Sequence, residues 1–165
     1  MYEVKTRQVP EQQVLTATRH VKQPELQTFI MEQMGALPTA IERAGAKPVS
    51  PQIVIFHGEV NADSDGPVEV CQPFEGRMEP REGTQVRIEP AHQEAFTTIT
   101  LQQCEFPGIL EAYDAVHAFL QREGMEPSGS PREVYFVEPD KIGPDDPFCD
   151  VAWPATPARQ PAAAG

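Results

Sequence analysis

The chain has 165 residues, 39% of them hydrophobic, and sets 25 acidic against 13 basic side chains for a formal charge of -12. That apolar content suffices for one globular domain, or for two small halves sharing a core, and excludes an acidic disordered protein. Binding to nucleic-acid phosphates or anionic membranes is carried by clustered Lys and Arg, so the charge balance argues against both and favours cationic or neutral partners.

The opening "MYEVKTRQVP" lacks the apolar core of a signal peptide, and no stretch has the apolar length to cross a bilayer, which points to the cytoplasm. Cys71, Cys104 and Cys149 are an odd number, widely separated and without a CxxC pair. They suit a reducing compartment, offer no zinc motif and read as packing residues.

Along the chain, an extended stretch over about 14–19 comes first. Leu26, Phe29, Ile30 and Met34 then recur at helical spacing, interrupted around Gly35 and Pro38. Proline fits best as the first residue of a new turn, so two short helices or a kink are expected there. Gly45 stands where a helix end needs positive φ. "QIVIFHG" and "PVEVCQ" follow as strands, and "NADSDGPVEVCQ" from Asn61 to Gln72 imitates a calcium loop. Its twelfth position is Gln72 instead of a bidentate Glu, and strands replace the flanking helices, so it reads as a solvated hairpin loop and no metal is expected. A second extended stretch covers about 95–101. Ile109, Ala112, Val116 and Phe119 then form an apolar stripe with Glu111, Asp114 and Gln121 opposite; Gly124 ends that helix, and "EVYFVE" and "CDVAWP" follow as strands. From residue 155 on, "ATPARQPAAAG" has no apolar period and is expected to be disordered.

The order strand, helix, strand, strand thus occurs twice, about 80 residues apart. Gly45 matches Gly124, Pro48 matches Pro127, Pro51 matches Pro131 and Phe56 matches Phe136; farther out Pro10 corresponds to Pro90 and Pro73 to Pro154. An ordered series at nearly constant offset indicates a duplicated unit, about 2–73 and 83–154, within a single domain over 1–154. The fold class expected is α+β, an antiparallel sheet with helices on one face and a ligand groove between the two halves. The bare face of the sheet is where that groove is expected.

Within "SPREVYF", strand alternation puts Arg132, Val134 and Phe136 on one face and Glu133, Tyr135 and Val137 on the other. Under the repeat, Glu133 matches Ile53 and Tyr135 matches Ile55, so one half carries an acid and a phenol where the other is aliphatic. An unpaired carboxylate on a packing face costs several kcal/mol, so an arginine, solvent or a ligand has to compensate. His57 shares the alternate face of Ile53 and Ile55, while Phe56, Phe96, Tyr113 and Trp153 are candidate aromatic walls. A cation held against aromatic faces beside a carboxylate gains from both, and more so away from water. The histidines, His20, His57, His92 and His117, have no metal-ligand spacing, and GxSxG, GxGxxG and P-loop motifs are missing, so no cofactor is expected.

The glycine after the helix, "SPREVYF", an acidic loop and the closing "VAWP" resemble the second half of the GyrI-like small-molecule-binding domain, the effector-binding domain of AraC- and MerR-type transcription regulators. The resemblance spans about residues 2–154 and includes the duplication. It implies a groove between the halves for hydrophobic, often cationic, compounds, with a buried glutamate at the position of Glu133. Some stand-alone members of similar sequence are hydrolases that open the strained cyclopropane of DNA-alkylating natural products, and another inhibits DNA gyrase by binding it. Two departures stand out. "QQCEFPG" places Cys104 and Glu105 where members usually have Gly and Pro, and the chain has no helix-turn-helix segment, so direct DNA binding is not expected.

The first functional expectation is a stand-alone protein that senses or sequesters drug-like compounds, hydrophobic or cationic, with Glu133 as anchor and Tyr135, Ile53, Ile55, His57, Phe96, Tyr113 and Trp153 around it. The second is a hydrolase in which burial raises Glu133 toward the range of a general base while Tyr135 or Tyr113 orients or protonates the leaving group. The third is a protein partner such as DNA gyrase, met through the acidic surface.

Overall fold

Period-two alternation punctuated by proline and glycine gives strands, and two apolar stripes at helical spacing give helices, in the computed structural model, which describes residues 2–158. The elements run β1 (Lys5–Val9), β2 (Gln12–His20), α1 (Gln23–Arg43), β3 (Lys47–Pro48), β4 (Gln52–Phe56), β5 (Pro67–Glu75), β6 (Gln85–Glu89), β7 (His92–Thr100), α2 (Ile109–Arg122), β8 (Met125–Pro127), β9 (Arg132–Tyr135) and β10 (Pro147–Pro157). Gly45 and Gly124 follow the two helices with φ of 84° and 66°, the left-handed conformation that lets the chain turn back toward the sheet.

All named pairings are antiparallel, and the sheet order is β1-β7-β10-β9-β4-β5-β2-β6, with β3 added to β5 and β8 to β10. Residues 5 and 85, 12 and 92, 52 and 132, and 67 and 147 open corresponding strands of the two halves. The first strands are exchanged: β1 pairs with β7 of the second half, Lys5 opposite Phe96, and β6 pairs with β2 of the first, Gln12 opposite Glu89. Corresponding arginines clasp the exchange. Arg7 of β1 reaches over β7 to Asp150 of β10 at 2.8 Å, and Arg87 of β6 reaches over β2 to Glu69 of β5 at 2.9 Å.

Helix α1 packs on β2, β3 and β5, and α2 on β7, β8 and β10. Leu15, Ala17, Val54, Val68, Val70 and Phe74 meet Phe29, Leu37 and Ile41 of α1, while Ala95, Ile99, Cys149 and Val151 meet Ile109, Ala112, Val116 and Leu120 of α2. The central strands β4 and β9 lie between the two helices. The groove is therefore on the helix face, not on the bare face expected from the sequence. The bare face is filled instead by a small apolar cluster of Val14, Ile53, Ile55 and Cys71 and by an ion network. In that network Glu69 accepts from Arg87 and His57, Glu89 from Arg87 and Arg132, and Glu94 from Arg7 and His92.

Two further expectations change. Helix α1 runs unbroken through Pro38. Ala155, Thr156 and Pro157, assigned to a disordered tail, continue β10 opposite β8, with Ala155 fully buried; residues 159–165 of that tail lie outside the described residues. The 61–72 stretch divides between a turn and β5: the Asn61 carboxamide accepts from the Asp63 and Ser64 amides, and Gln72 is buried in the strand. Among the described residues no helix is long and apolar enough to cross a membrane.

Candidate functional site

The floor of the groove is the seam between β4 and β9, where the antiparallel register sets Val54 opposite Glu133 and Gln52 opposite Tyr135. Leu26, Ile30 and Met34 of α1 wall one side. Cys104 and Phe106 of the turn before α2, with Ile109, wall the other, and the cleft they enclose has a volume of about 1110 Å³. That is large enough for a drug-sized organic molecule, and the lining is mainly apolar with Gln52, Gln72, Glu105, Glu133 and Glu138 among its polar groups. Phe56, Phe136 and Phe148 add aromatic surface. Phe56 meets Tyr113 edge-on, ring centroids 6.5 Å apart, and Tyr135 meets Phe148 at 5.3 Å.

Glu133 is 6% exposed. The Tyr113 hydroxyl, reaching down from α2, donates to its Oε2 at 2.5 Å, and the Tyr135 hydroxyl donates to its Oε1. Burial pushes the Glu133 carboxyl above its ordinary range, and the two phenols pull it only part of the way back. Burial, reinforced by the neighbouring carboxylate, raises both phenols well above the usual tyrosine range, so they remain protonated donors. Arg132, next in sequence, points to the opposite face and pairs with Glu89 at 2.7 Å. Glu133 is thus a buried carboxyl held by neutral donors.

The first half contributes amides in place of an acid. Gln52 Nε2 donates to the Met34 carbonyl at 2.8 Å and to Gln72 Oε1 at 2.7 Å, and Gln72 Nε2 donates to the carbonyls of Val49 and Pro73. Met34 lies four residues before Pro38, and a helical proline leaves that carbonyl without its usual amide donor. Gln52 supplies a hydrogen bond in its place, so the helix passes Pro38 with that carbonyl satisfied and an amide is fixed at this end of the groove. Pro38 itself lines the cleft.

Of the residues singled out in the sequence, the structure brings Glu133, Tyr135, Tyr113 and Phe56 together. Ile53 and Ile55 do not line the groove: they pair with Val134 and Arg132 and pack on the opposite face. The repeat aligns Ile53 with Glu133 at an even offset, whereas the two strands share a face at an odd one, and a shift of one residue exchanges the faces. His57 follows the same alternation to the far side, bridging Ser130 Oγ at 3.0 Å and Glu69 Oε1 at 2.9 Å. Phe96 is also on that side, with the Arg7 guanidinium 3.9 Å above its ring. Trp153 packs on the core of the second half and against His117, outside the lining of the cleft, its Nε1 donating to the Gly129 carbonyl at 3.1 Å. Gln52 and Gln72 were not legible as site residues from the sequence, where the position of Pro38 four residues after Met34 was the one signal for them.

No protein-family model matches the chain, and no curated protein matches it. Solved structures do. The crystal structure of the EcmrR C-terminal domain superposes with a TM-score of 0.81 at 15% identity, covering 96% of this chain and 99% of that one. The fold is the one expected from the resemblance to the GyrI-like domain. In a cryo-EM structure of an EcmrR–DNA complex the match covers 95% of this chain and 58% of the EcmrR chain. The same fold recurs in SAV2435 bound to tetraphenylphosphonium, with a TM-score of 0.57 at 11% identity over 93% of this chain and 94% of that one. A hydrolase from Listeria innocua matches with a TM-score of 0.58 at 12% identity over 93% and 92% of the two chains. At these identities the likeness establishes the shared fold alone.

Proposed function

We propose that the groove binds a hydrophobic organic cation and that Glu133 is its counter-charge. The observation that carries this is a carboxyl buried at the floor of an aromatic cleft with two phenols, and among the described residues no basic side chain, as its hydrogen-bond partners. A monocation entering the cleft favours the ionised carboxyl that burial disfavours, and its attraction to aromatic faces and carboxylate gains strength as water leaves. Tyr113 and Tyr135 keep the carboxylate oriented while occupying one lone pair on each oxygen. The GyrI-like fold that holds tetraphenylphosphonium in SAV2435 supports this reading, and sensing or sequestering drug-like compounds is the role it fits.

The test is calorimetric titration with tetraphenylphosphonium and with a neutral tetraphenyl compound of similar shape. Saturable binding of the cation at one site, tighter than the neutral analogue, is the expected result. Equal affinity, or none for either, overturns the proposal.

A second reading, hydrolysis of an electrophilic ligand, draws on the same raised carboxyl and on two protonated phenols placed to donate to a leaving group. Glu133 would have to exchange a phenol for water to act as base. Incubation with a cyclopropane-bearing electrophile, followed by mass spectrometry, separates the two: hydrolysed product lost in Glu133→Gln indicates turnover, and unchanged ligand indicates binding alone. A gyrase partner draws on net charge alone, and no feature of the structure among the described residues supports it.

A further inference from the structure

We propose that Cys104 and Cys149 are a redox pair in the groove wall, closed to a disulfide by peroxide-class oxidants, and that the link locks the 102–108 turn against the sheet. The two sulfurs lie 4.0 Å apart, with the Cys149 thiol donating to Cys104, and both are free thiols. Cys104 is half-buried and lines the groove, where a small oxidant can reach it; Cys149 is fully buried beneath. Closing the bond brings the sulfurs to about 2.05 Å. The movement falls on the turn, because Cys149 is held on both sides by pairing with Tyr135 and Ile99, whereas Cys104 sits at the end of a single 3-10 turn. Cys71 lies in the apolar cluster on the opposite face and serves as an internal control.

The chemistry balances with one peroxide. The Cys104 sulfur attacks a peroxide oxygen, the O–O bond breaks, and Cys104 becomes a sulfenic acid with release of one water. The Cys149 sulfur then attacks the Cys104 sulfur, the S–O bond breaks, the two remaining protons leave with oxygen as a second water, and the disulfide forms. Two thiols are oxidised and one peroxide reduced to two waters.

The location gives the bond a consequence. Leu101, Cys104, Glu105 and Phe106 make up the wall facing α1, and Cys149 is directly across the register from Tyr135, which holds Glu133. The link therefore ties the wall to the strand beside the anchor. Only its effect on ligands rests on the function proposed above.

The full-length chain is treated with hydrogen peroxide, its free thiols are alkylated, and intact and digested masses are measured. After alkylation in denaturant, the expected product is a monomer whose mass is that of the reduced chain less two hydrogens plus one alkyl group, on Cys71, with a Cys104–Cys149 linked peptide that dithiothreitol releases. Cys104→Ser and Cys149→Ser each abolish the link, and Cys71→Ser preserves it. Over-oxidation of Cys104 without a link, or a link involving Cys71, overturns the pairing. Hydrogen exchange in 102–108 is expected to slow roughly threefold or more on oxidation, since local opening then requires a tethered turn to lift; unchanged exchange refutes the lock. Tetraphenylphosphonium dissociation is measured alongside. If it binds neither form, the cation reading fails while the mass and exchange results still decide the redox pair.

Discussion

Replacing Glu133 by Gln keeps the shape of the groove floor and removes its charge. A monocation seated about 5 Å from the carboxylate, at an effective dielectric near 20, gains about 3 kcal/mol from it. Part of that is offset, because the groove opens to solvent and because binding competes with the proton that burial favours on the carboxyl. A net loss of about 1.5–2 kcal/mol, or roughly 10–30-fold in Kd, is expected for tetraphenylphosphonium at neutral pH. The pH profile is the sharper signature. The cation binds the ionised form, so the parent's affinity climbs as pH rises through the raised Glu133 value and levels off above it, while the variant stays flat. Calorimetry at steps between about pH 4 and pH 8 reads both effects. The same raised value predicts the opposite effect on stability: ionising Glu133 opposes folding as pH passes above its unfolded value, so Glu133→Gln should melt no lower than the parent at neutral pH. A variant that binds the cation as tightly as the parent, or that loses a neutral analogue equally, refutes the charge assignment.

Gln52→Leu should cost about 1–2 kcal/mol in chemical denaturation, since the Met34 carbonyl loses its donor. In a Pro38→Ala background the restored helix amide satisfies that carbonyl, so the loss should be smaller; an undiminished loss would show that the proline is not what makes Gln52 necessary. Arg87→Met should lower stability by about 2–4 kcal/mol, because Glu69 and Glu89 both lose a partner while remaining buried. Thermal melts against pH should peak on a mildly acidic plateau. Burial alone would raise Glu69, Glu89 and Glu94, but Arg87, Arg132, Arg7 and the histidines hold them below the usual carboxylate range, so their contribution is present above the unfolded values and lost as pH falls through the depressed ones. His92, raised chiefly by its hydrogen bond to Glu94, contributes fully below the unfolded imidazole value, and that contribution is lost as pH climbs through its raised one. A maximum on the alkaline side of the imidazole range contradicts this account.

The helices were legible because each has one apolar stripe and a terminal glycine whose conformation no other residue adopts as readily; the stripe of α2 held from Ile109 to Val116 and ended on Leu120. Glu133 was legible as an acid out of place in a strand. The inner faces were not. Repeat matching counts residues and is blind to parity, so the one-residue difference between β4 and β9 sent Ile53, Ile55 and His57 to the wrong side. The ion network depends on strands exchanged between halves, and the thiol pair joins positions 104 and 149, so neither leaves a local pattern.

The exchanged strands bear on how such a chain is made. β1 emerges from the ribosome early and cannot find its partner until β7 has been synthesised, so Lys5 waits for Phe96. A first half released alone would expose the β2 edge that β6 normally covers and would carry a β1 with nowhere to lie. Two copies of that half would satisfy both needs by lending each other their first strands. A single duplicated chain of this topology is, in physical terms, a strand-swapped dimer whose two subunits have been joined end to end.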